Sequence, residues 1–69
     1  MTNDELKHRF TYHPPKDDQP DRYVSIRSKA LELALLINEL TPESREQSIA
    51  YTELDMVVFF ANSAIARNE

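Results

Sequence analysis

The chain contains no cysteine and no glycine. Without cysteine it forms no disulfide bonds and has none of the thiolate ligands on which most structural zinc sites depend. Without glycine it has neither a P-loop nor a dinucleotide-binding fingerprint, because both motifs place glycine where the backbone turns tightly against phosphate. The sequence therefore offers no covalent staple, no thiol nucleophile and no glycine-based phosphate loop.

A chain of 69 residues has room for one domain only, residues 1–69. At this length, folding buries only about 60% of the surface that the unfolded chain exposes, so burial barely offsets the entropy lost on ordering. Small proteins compensate with disulfides, a structural metal or association of several copies. Because disulfides are excluded and no metal motif is apparent, we predict that the chain works within a homo-oligomer.

The charge and the hydrophobic runs narrow the choice of partners. A net charge of −4 and a pI near 5.0 disfavour duplex nucleic acid, whose binding depends on lysine and arginine neutralising phosphates. The longest apolar run, Met56–Ala61, is far shorter than the roughly 18 residues that a membrane span requires. We therefore expect neither duplex nucleic acid nor a membrane as a partner.

Residues 1–19 are predicted to form an N-terminal arm. Met1–Arg9 shows no hydrophobic periodicity and is expected to be a frayed lead-in. The segment Pro14–Pro20 contains three prolines, which favour an extended course. The aromatic residues Phe10 and Tyr12 have two interpretations: they pack back on the chain's own helices, or they form a wall or lid over a ligand.

The first long helix, helix 1, is predicted to run from about residue 20 to about residue 40, with the Asp18 side chain capping its first amides. One apolar stripe repeats at steps of three and four residues and suits a partner helix. Its members are Tyr23, Ile26, Ala30, Leu33, Ile37 and Leu40. Val24, Leu31 and Leu35 form a second apolar face, which is more than one partner helix can cover. This surplus points to a neighbouring protomer.

Thr41–Ser44 interrupts the helical pattern, and Ser44 with Gln47 matches a capping box that starts a second helix. This helix is predicted over residues of about 45–67, with Ala50, Leu54, Val57, Ala61 and Ile65 on the seam that faces helix 1. A link this short joins antiparallel neighbours. The predicted fold is therefore all-α: an antiparallel two-helix hairpin with an extended N-terminal arm, assembled into a homo-oligomer.

Catalytic and metal-binding patterns are lacking. His8 and His13 stand five residues apart in the arm, without the helical spacing or the carboxylate partner that a zinc site would have. Asp17, Asp18 and Asp21 resemble an acidic cluster, but helix capping explains them better than a metal does. We therefore predict no catalytic residue, no metal and no cofactor, and a binding protein in place of an enzyme.

Several polar residues interrupt apolar helical stretches and are candidates for ligand binding. The Asn62 amide follows the most apolar segment, where it must find hydrogen-bond partners, either as a register pin between helices or as a ligand contact. Arg27 and Arg67, taken singly, suit solvated charges. Together with residues of the arm they supply the stacking surfaces and charge-assisted donors that an anionic aromatic ligand requires. The candidate set is Tyr12, His13, Lys16, Arg27, Asn62 and Arg67.

Five segments carry a resemblance to a known family. They are Phe10–Lys16, Arg22-Tyr23, Ile26-Arg27, Ser44–Ser48 and Ala61–Glu69. Across nearly the whole chain from Phe10 onward, the sequence resembles the phage anti-CBASS/anti-Thoeris hairpin-domain family of cyclic-nucleotide sponges. It departs from that family's pattern at Phe59-Phe60, where related sequences tend to carry a Met-Trp pair. The arm is of the family's Phe-Thr-Tyr-His-Pro-Pro type, so the choice of ligand does not transfer from the other branch.

The resemblance implies a homo-oligomer, a hexamer, with pockets between helices of neighbouring protomers. Members of the family bind cyclic dinucleotides, cyclic trinucleotides and cyclic ADP-ribose isomers without cleaving them, and the implied location is the cytoplasm of the infected bacterial host. By the same resemblance, Tyr12, His13 and Lys16 would cover or stack on a base. Arg27 would meet a phosphate, and Asn62 and Arg67 would face the ligand or symmetry-related protomers.

Two other classes of function remain open. The first is a protein-binding helical module that inhibits or adapts a host protein, and a host protein captured in stoichiometric amount would favour it. The second is a small enzyme acting on the same nucleotides with His13 as general base, and product formed on prolonged incubation would favour that.

Overall fold

The computed structural model describes residues Met1–Glu69 and contains helices but no strands. In chain order the helices are α1 (Asn3–Arg9), α2 (Gln19–Leu40) and α3 (Arg45–Asn68). The predicted all-α class is confirmed. The two long helices were predicted over about 20–40 and 45–67, so α2 begins one residue earlier and α3 ends one residue later than expected.

Helix α1 corrects the prediction that Met1–Arg9 is a frayed lead-in. The Thr2 hydroxyl oxygen accepts a hydrogen bond from the Glu5 amide at 3.1 Å, and the Glu5 carboxylate accepts one from the Thr2 amide at 3.1 Å. This reciprocal capping box satisfies two amides that the first turn would otherwise leave without partners. Basic residues in the last turn, Lys7 to Arg9, complement the helix dipole. The arm is therefore a short helix followed by a non-helical segment, residues 11–16.

The start of α2 differs in detail from the prediction. Pro20 lies in the first turn, where its missing amide leaves no helical hydrogen bond unmade, but the Asp18 side chain makes no capping hydrogen bond, so the predicted cap is wrong. The backbone of Asp18 (φ −88°, ψ 6°) is not in the extended conformation from which an N-cap side chain folds back onto the amides. The Asp18 carboxylate instead pairs with Arg22 one turn later, with 3.3 Å between Oδ1 and Nε. Asp17 turns the chain into the helix with a positive φ of 52°.

The link between α2 and α3 is fixed by hydrogen bonds. The Ser44 hydroxyl accepts from the Gln47 amide at 3.1 Å, which confirms the predicted N-cap. The Gln47 side chain does not complete the capping box. It donates instead to the main-chain oxygen and the hydroxyl of Thr41, at 3.2 and 3.0 Å, and is buried in doing so. One glutamine thus joins the end of α2 to the start of α3.

Helices α2 and α3 pack against each other. Near the link, the Tyr51 hydroxyl donates to the Asn38 side-chain oxygen at 3.4 Å. At the far end, Arg22 near the start of α2 donates to the carboxylate of Glu69, which follows α3. The start of α2 therefore meets the end of α3. The molecule is a flat plate of 46 × 29 × 12 Å, about one helix thick.

A plate of this thickness encloses no hydrophobic core. No apolar side chain is buried, and the two buried residues are Gln19 and Gln47. Three residues assigned to the facing seams, Leu33, Leu40 and Val57, are 46%, 70% and 60% exposed, so the single hairpin does not bury them. The large exposed apolar residues of α2 and α3 are Val24, Leu31, Leu33, Leu35, Leu36, Leu40, Ile49, Met56, Val57, Phe59 and Phe60. This is far more apolar surface than soluble monomers normally expose.

Helix α3 is long and apolar enough, by length and composition, to cross a membrane, and none of its apolar stretch is buried in the chain. It carries three acidic residues, Glu46, Glu53 and Asp55, within its length. Acidic side chains are costly in a bilayer, whereas helices that pack in the interior of an assembly are equally apolar. The expectation that no membrane is a partner stays a prediction.

Candidate functional site

A cleft of about 530 Å³ lies between α2 and α3, a volume typical of small-molecule sites. We call it the helix cleft. Its lining residues are Arg27, Ala30, Leu31, Ala34, Tyr51, Leu54, Asp55, Val58, Phe59 and Asn62. Most of the lining is apolar, with few polar groups, which is the usual composition of a site for an organic ligand.

The helix cleft brings together two of the predicted ligand-binding residues, Arg27 from α2 and Asn62 from α3. Both also line an adjoining cleft of about 300 Å³ with Tyr23 and Ser63. The Asn62 side-chain oxygen, Oδ1, is shielded from solvent and has no hydrogen-bond donor. A buried acceptor without a donor costs about 1–3 kcal/mol, so this atom requires a partner from outside the chain. Asn62 therefore makes no register pin through Oδ1 within the single hairpin.

Two further side chains define the chemistry of the helix cleft. The Phe59 ring is 58% exposed and stands edge-on to Phe60, with 5.4 Å between ring centroids. An exposed ring in a cleft offers a stacking surface to a planar ligand. Asp55 places a carboxylate in the same cleft as the Arg27 guanidinium. The cleft thus presents a ring, a cation and two oxygen acceptors, which suits an aromatic ligand carrying both an anionic group and N–H donors.

A second cleft of about 310 Å³ lies between the arm and the end of α3, and we call it the arm cleft. It brings together three other predicted residues, His13, Lys16 and Arg67. Its lining is almost wholly polar or proline. The arm cleft and the adjoining cleft share Ala66, so both lie along the same side of α3.

The two histidines fasten the arm to α3. His8 Nε2 lies 2.5 Å from the main-chain oxygen of Arg67, and His13 Nε2 lies 2.9 Å from the main-chain oxygen of His8. Both partners are acceptors, so each Nε2 carries the proton. The two rings meet edge to face with centroids 4.6 Å apart, and the Arg67 guanidinium donates to the Arg9 main-chain oxygen at 3.4 Å. These contacts give both rings a packing role between the arm and α3.

A polar cluster that sequence reasoning missed closes the other side of the arm cleft. The Glu69 carboxylate accepts a two-pronged hydrogen bond from Arg22, 2.8 Å from Nη1 to Oε2 with Nη2 on Oε1, and a third bond from Gln19 at 3.1 Å. The Arg22 Nε atom faces Asp18 at ion-pair distance without being oriented to donate a hydrogen bond. Lys16 Nζ donates to the main-chain oxygen of Glu69 at 2.6 Å.

This arrangement fixes the charge of both ionised partners. The hydrogen bond from Arg22, helped by that from Gln19, lowers the pKa of Glu69 to about 2. The bond to Glu69 raises the pKa of Arg22 still further above its usual range. Glu69 therefore stays ionised well below the pH range in which carboxyl groups ordinarily titrate, and Arg22 stays cationic. The i, i+4 pair of Asp18 and Arg22 can be read from the sequence, but nothing in it indicates contacts to Glu69, about fifty positions away.

The six predicted residues thus do not form one site within a single chain. Arg27 and Asn62 share the helix cleft, and His13, Lys16 and Arg67 share the arm cleft. Tyr12 lines none of the three clefts described above and is 79% exposed.

No three histidine, aspartate or glutamate side chains lie close enough together to hold a metal ion.

Comparison with known proteins identifies one family. A family model described as Acb2/Tad1, hairpin domain, matches residues 2–66, which is nearly the whole chain. No curated protein and no solved structure matches the chain.

Proposed function

The chain belongs to the Acb2/Tad1 hairpin-domain family, the anti-CBASS/anti-Thoeris sponges, and we propose that it binds cyclic nucleotide second messengers and holds them uncleaved. The ligand classes are cyclic dinucleotides, cyclic trinucleotides and cyclic ADP-ribose isomers. The protein is proposed to act as a phage anti-defence protein in the cytoplasm of the infected bacterial host, where it removes the messenger from its receptor.

The observation that carries this proposal is that the helix cleft holds both the Arg27 guanidinium and the Asn62 side-chain oxygen, which has no hydrogen-bond donor within the chain. Cyclic nucleotides combine phosphates with bases that bear amino and imino donors. A guanidinium binds phosphate through charge-assisted hydrogen bonds, and an amide oxygen accepts from a base N–H. The Phe59 ring in the same cleft supplies the stacking surface.

The arm cleft supports the same class of ligand. Lys16 and Arg67 each donate to one main-chain oxygen and keep further N–H groups available, since an ammonium has three donors and a guanidinium five. Two cations beside the His13 ring suit a second phosphate and base. We assign exposed Tyr12 to covering a base, as the family resemblance implies.

Assembly follows from the exposed apolar surface. We propose that the hairpin is antiparallel and associates into a homo-oligomer, a hexamer by family resemblance, in which neighbouring copies cover the apolar faces of α2 and α3. A single chain without one buried apolar side chain has too little burial to offset its ordering entropy. In the assembly a neighbouring protomer also narrows the open clefts. A rigid, preformed pocket suits sequestration because little ordering entropy is lost when the ligand binds.

Binding without cleavage fits the surroundings of the titratable groups in the clefts. A histidine acting as general base needs a free ring nitrogen within reach of the ligand and a partner that orients it. The His13 Nε2–H donates to the His8 main-chain oxygen and holds the ring against the arm, so only Nδ1 could accept a proton from a ligand. The Glu69 carboxylate is held by three donors and has a pKa of about 2, which makes it a poor base.

The proposal is tested by replacing Arg27→Glu and measuring messenger affinity by calorimetry. We expect binding to be lost because a carboxylate repels the ligand phosphate, while native mass spectrometry shows an unchanged assembly. The matched control is Lys29→Glu, the same charge change two residues along α2. Lys29 lines a different groove, on the opposite side of the hairpin from the helix cleft, and pairs with Glu32 at 3.2 Å. Retained affinity in Arg27→Glu would contradict the phosphate assignment.

A protein-binding module is the second candidate. It is favoured by an apolar groove of about 450 Å³ on the opposite side of the hairpin, lined in part by Ile26, Leu33 and Val57. Such a groove suits the apolar face of a partner helix. Recovery of a host protein in stoichiometric amount that is kept in Arg27→Glu would favour this function over the sponge.

A further inference from the structure

Gln19 is unusual among the residues of this chain. It is the least exposed residue at 2%, although it is polar and the chain buries no apolar side chain. Both ends of its amide are used: the oxygen accepts from the Lys16 main-chain N–H at 3.1 Å, and the nitrogen donates to the Glu69 carboxylate at 3.1 Å. Gln19 therefore connects the arm, in which Lys16 lies, to Glu69 at the end of α3.

Glu69 is fixed in turn by Arg22 of α2. A two-pronged contact between a guanidinium and a carboxylate restricts orientation as well as distance. Lys16 adds its own bond from Nζ to the Glu69 main-chain oxygen. The arm, α2 and the end of α3 thus meet at one point, which we call the Glu69 cluster: Lys16, Gln19, Arg22 and Glu69.

The segment between α1 and α2 has little else to hold it. Residues 11–16 belong to no regular helix, and none of their main-chain N–H groups donates to a main-chain oxygen. Besides the contacts of the Glu69 cluster, the Lys16 main-chain oxygen accepts from the Gln19 amide at 3.0 Å, and the Thr11 hydroxyl donates to the Lys7 main-chain oxygen. The histidine contacts anchor α1 and His13 at one end of the segment. At its other end, the position of Lys16 depends on the Glu69 cluster.

We propose that Gln19 and Glu69 are positioning residues, which hold the arm against α3 and thereby set the place of Lys16 in the arm cleft. The consequence for ligand affinity rests on the proposed function, whereas the holding of the arm does not. The family match ends at residue 66 and assigns no role to Glu69. Without the cluster, a ligand must order the arm as it binds, and that ordering cost lowers its affinity.

The first test uses the full-length assembly without ligand. Hydrogen exchange of the Lys16 amide, followed by NMR, is compared in wild type, Glu69→Gln and Glu32→Gln. Glu32 forms an exposed pair with Lys29 and is the matched control for loss of one carboxylate. We expect exchange at Lys16 to be at least tenfold faster in Glu69→Gln and unchanged in Glu32→Gln. Equal exchange in wild type and Glu69→Gln would overturn the proposal.

The second test measures messenger affinity and dissociation rate in the same variants. A positioning role predicts tenfold or more weaker binding in Glu69→Gln than in Glu32→Gln, mostly through faster dissociation. Tighter binding would overturn the proposal, because Glu69 would then compete with the ligand phosphate. If wild type binds no messenger, the proposed function fails, and the exchange measurement alone still decides whether Glu69 holds the arm.

Discussion

The Asn62→Leu variant distinguishes between two possible hydrogen-bond donors to the Asn62 side-chain oxygen, a bound ligand and a neighbouring protomer. Leucine has the same branched shape as asparagine, with two methyl groups in place of the amide oxygen and nitrogen, and so removes the acceptor. The Asn62 oxygen has no donor within the chain, so leucine removes an acceptor that costs about 1–3 kcal/mol when unpaired. The ligand-free protein should therefore unfold at an equal or higher temperature than wild type.

The effect on ligand binding should have the opposite sign. In the complex proposed above a base N–H pairs with the Asn62 oxygen, whereas in the variant that donor would be buried without a partner. An unpaired buried donor costs about 1–3 kcal/mol, which corresponds to roughly 5- to 140-fold weaker binding. The size of the loss depends on how completely the ligand excludes water from the helix cleft.

Thermal unfolding and calorimetric titration of the same preparation measure both quantities. Asn68→Leu is the matched control, since Asn68 is an exposed residue of the same helix whose amide only donates to Ala64 of the preceding turn, at 2.9 Å. Unchanged affinity in Asn62→Leu together with a lower unfolding temperature would refute the reasoning. The donor to Asn62 would then come from a neighbouring protomer in the ligand-free state.

Three further predictions follow from other parts of the chain. Val57→Glu should dissociate or unfold the assembly, seen as a loss of mass by light scattering, because it puts a charge on an apolar face; Ser48→Glu on the same helix should not. Titration of the Glu69 carboxyl by NMR should give a pKa near 2 in place of the ordinary 4.5. A carboxylate with a lowered pKa stabilises the fold fully above about pH 4.5, and its contribution fades as the pH falls towards 2. Thr2→Ala should speed amide exchange in α1, since a lost cap costs about 0.5–2 kcal/mol, without changing the global unfolding temperature.

The long helices were predictable because their signals are local. Hydrophobic steps of three and four residues and the Ser44 cap before Gln47 act over one or two turns, and the structure places the helices accordingly. Helix α1 was missed although its capping box, Thr2 and Glu5, can also be read locally. The segment lacks an apolar stripe, and a search led by periodicity passes over a helix stabilised by its caps and charges.

The site was less predictable because its contacts join distant positions. Composition placed Arg27 and Asn62 among the ligand candidates, and the structure brings them to one cleft. It separates them from His13 and Lys16, which lie in the arm cleft. The separation depends on how the arm crosses the end of α3, which is set by side-chain bonds such as that from Gln19 to Glu69. Polar contacts across fifty positions leave no periodic pattern in one sequence.

The central claim is that the protein sequesters a cyclic nucleotide. Purified protein is mixed with a panel of cyclic dinucleotides, cyclic trinucleotides and cyclic ADP-ribose isomers, freed of unbound ligand, denatured and chromatographed. We predict release of an intact messenger from wild type and none from Arg27→Glu. Release of a degraded messenger would indicate an enzyme, and release of nothing across the panel would contradict the sponge function and favour the protein-binding module.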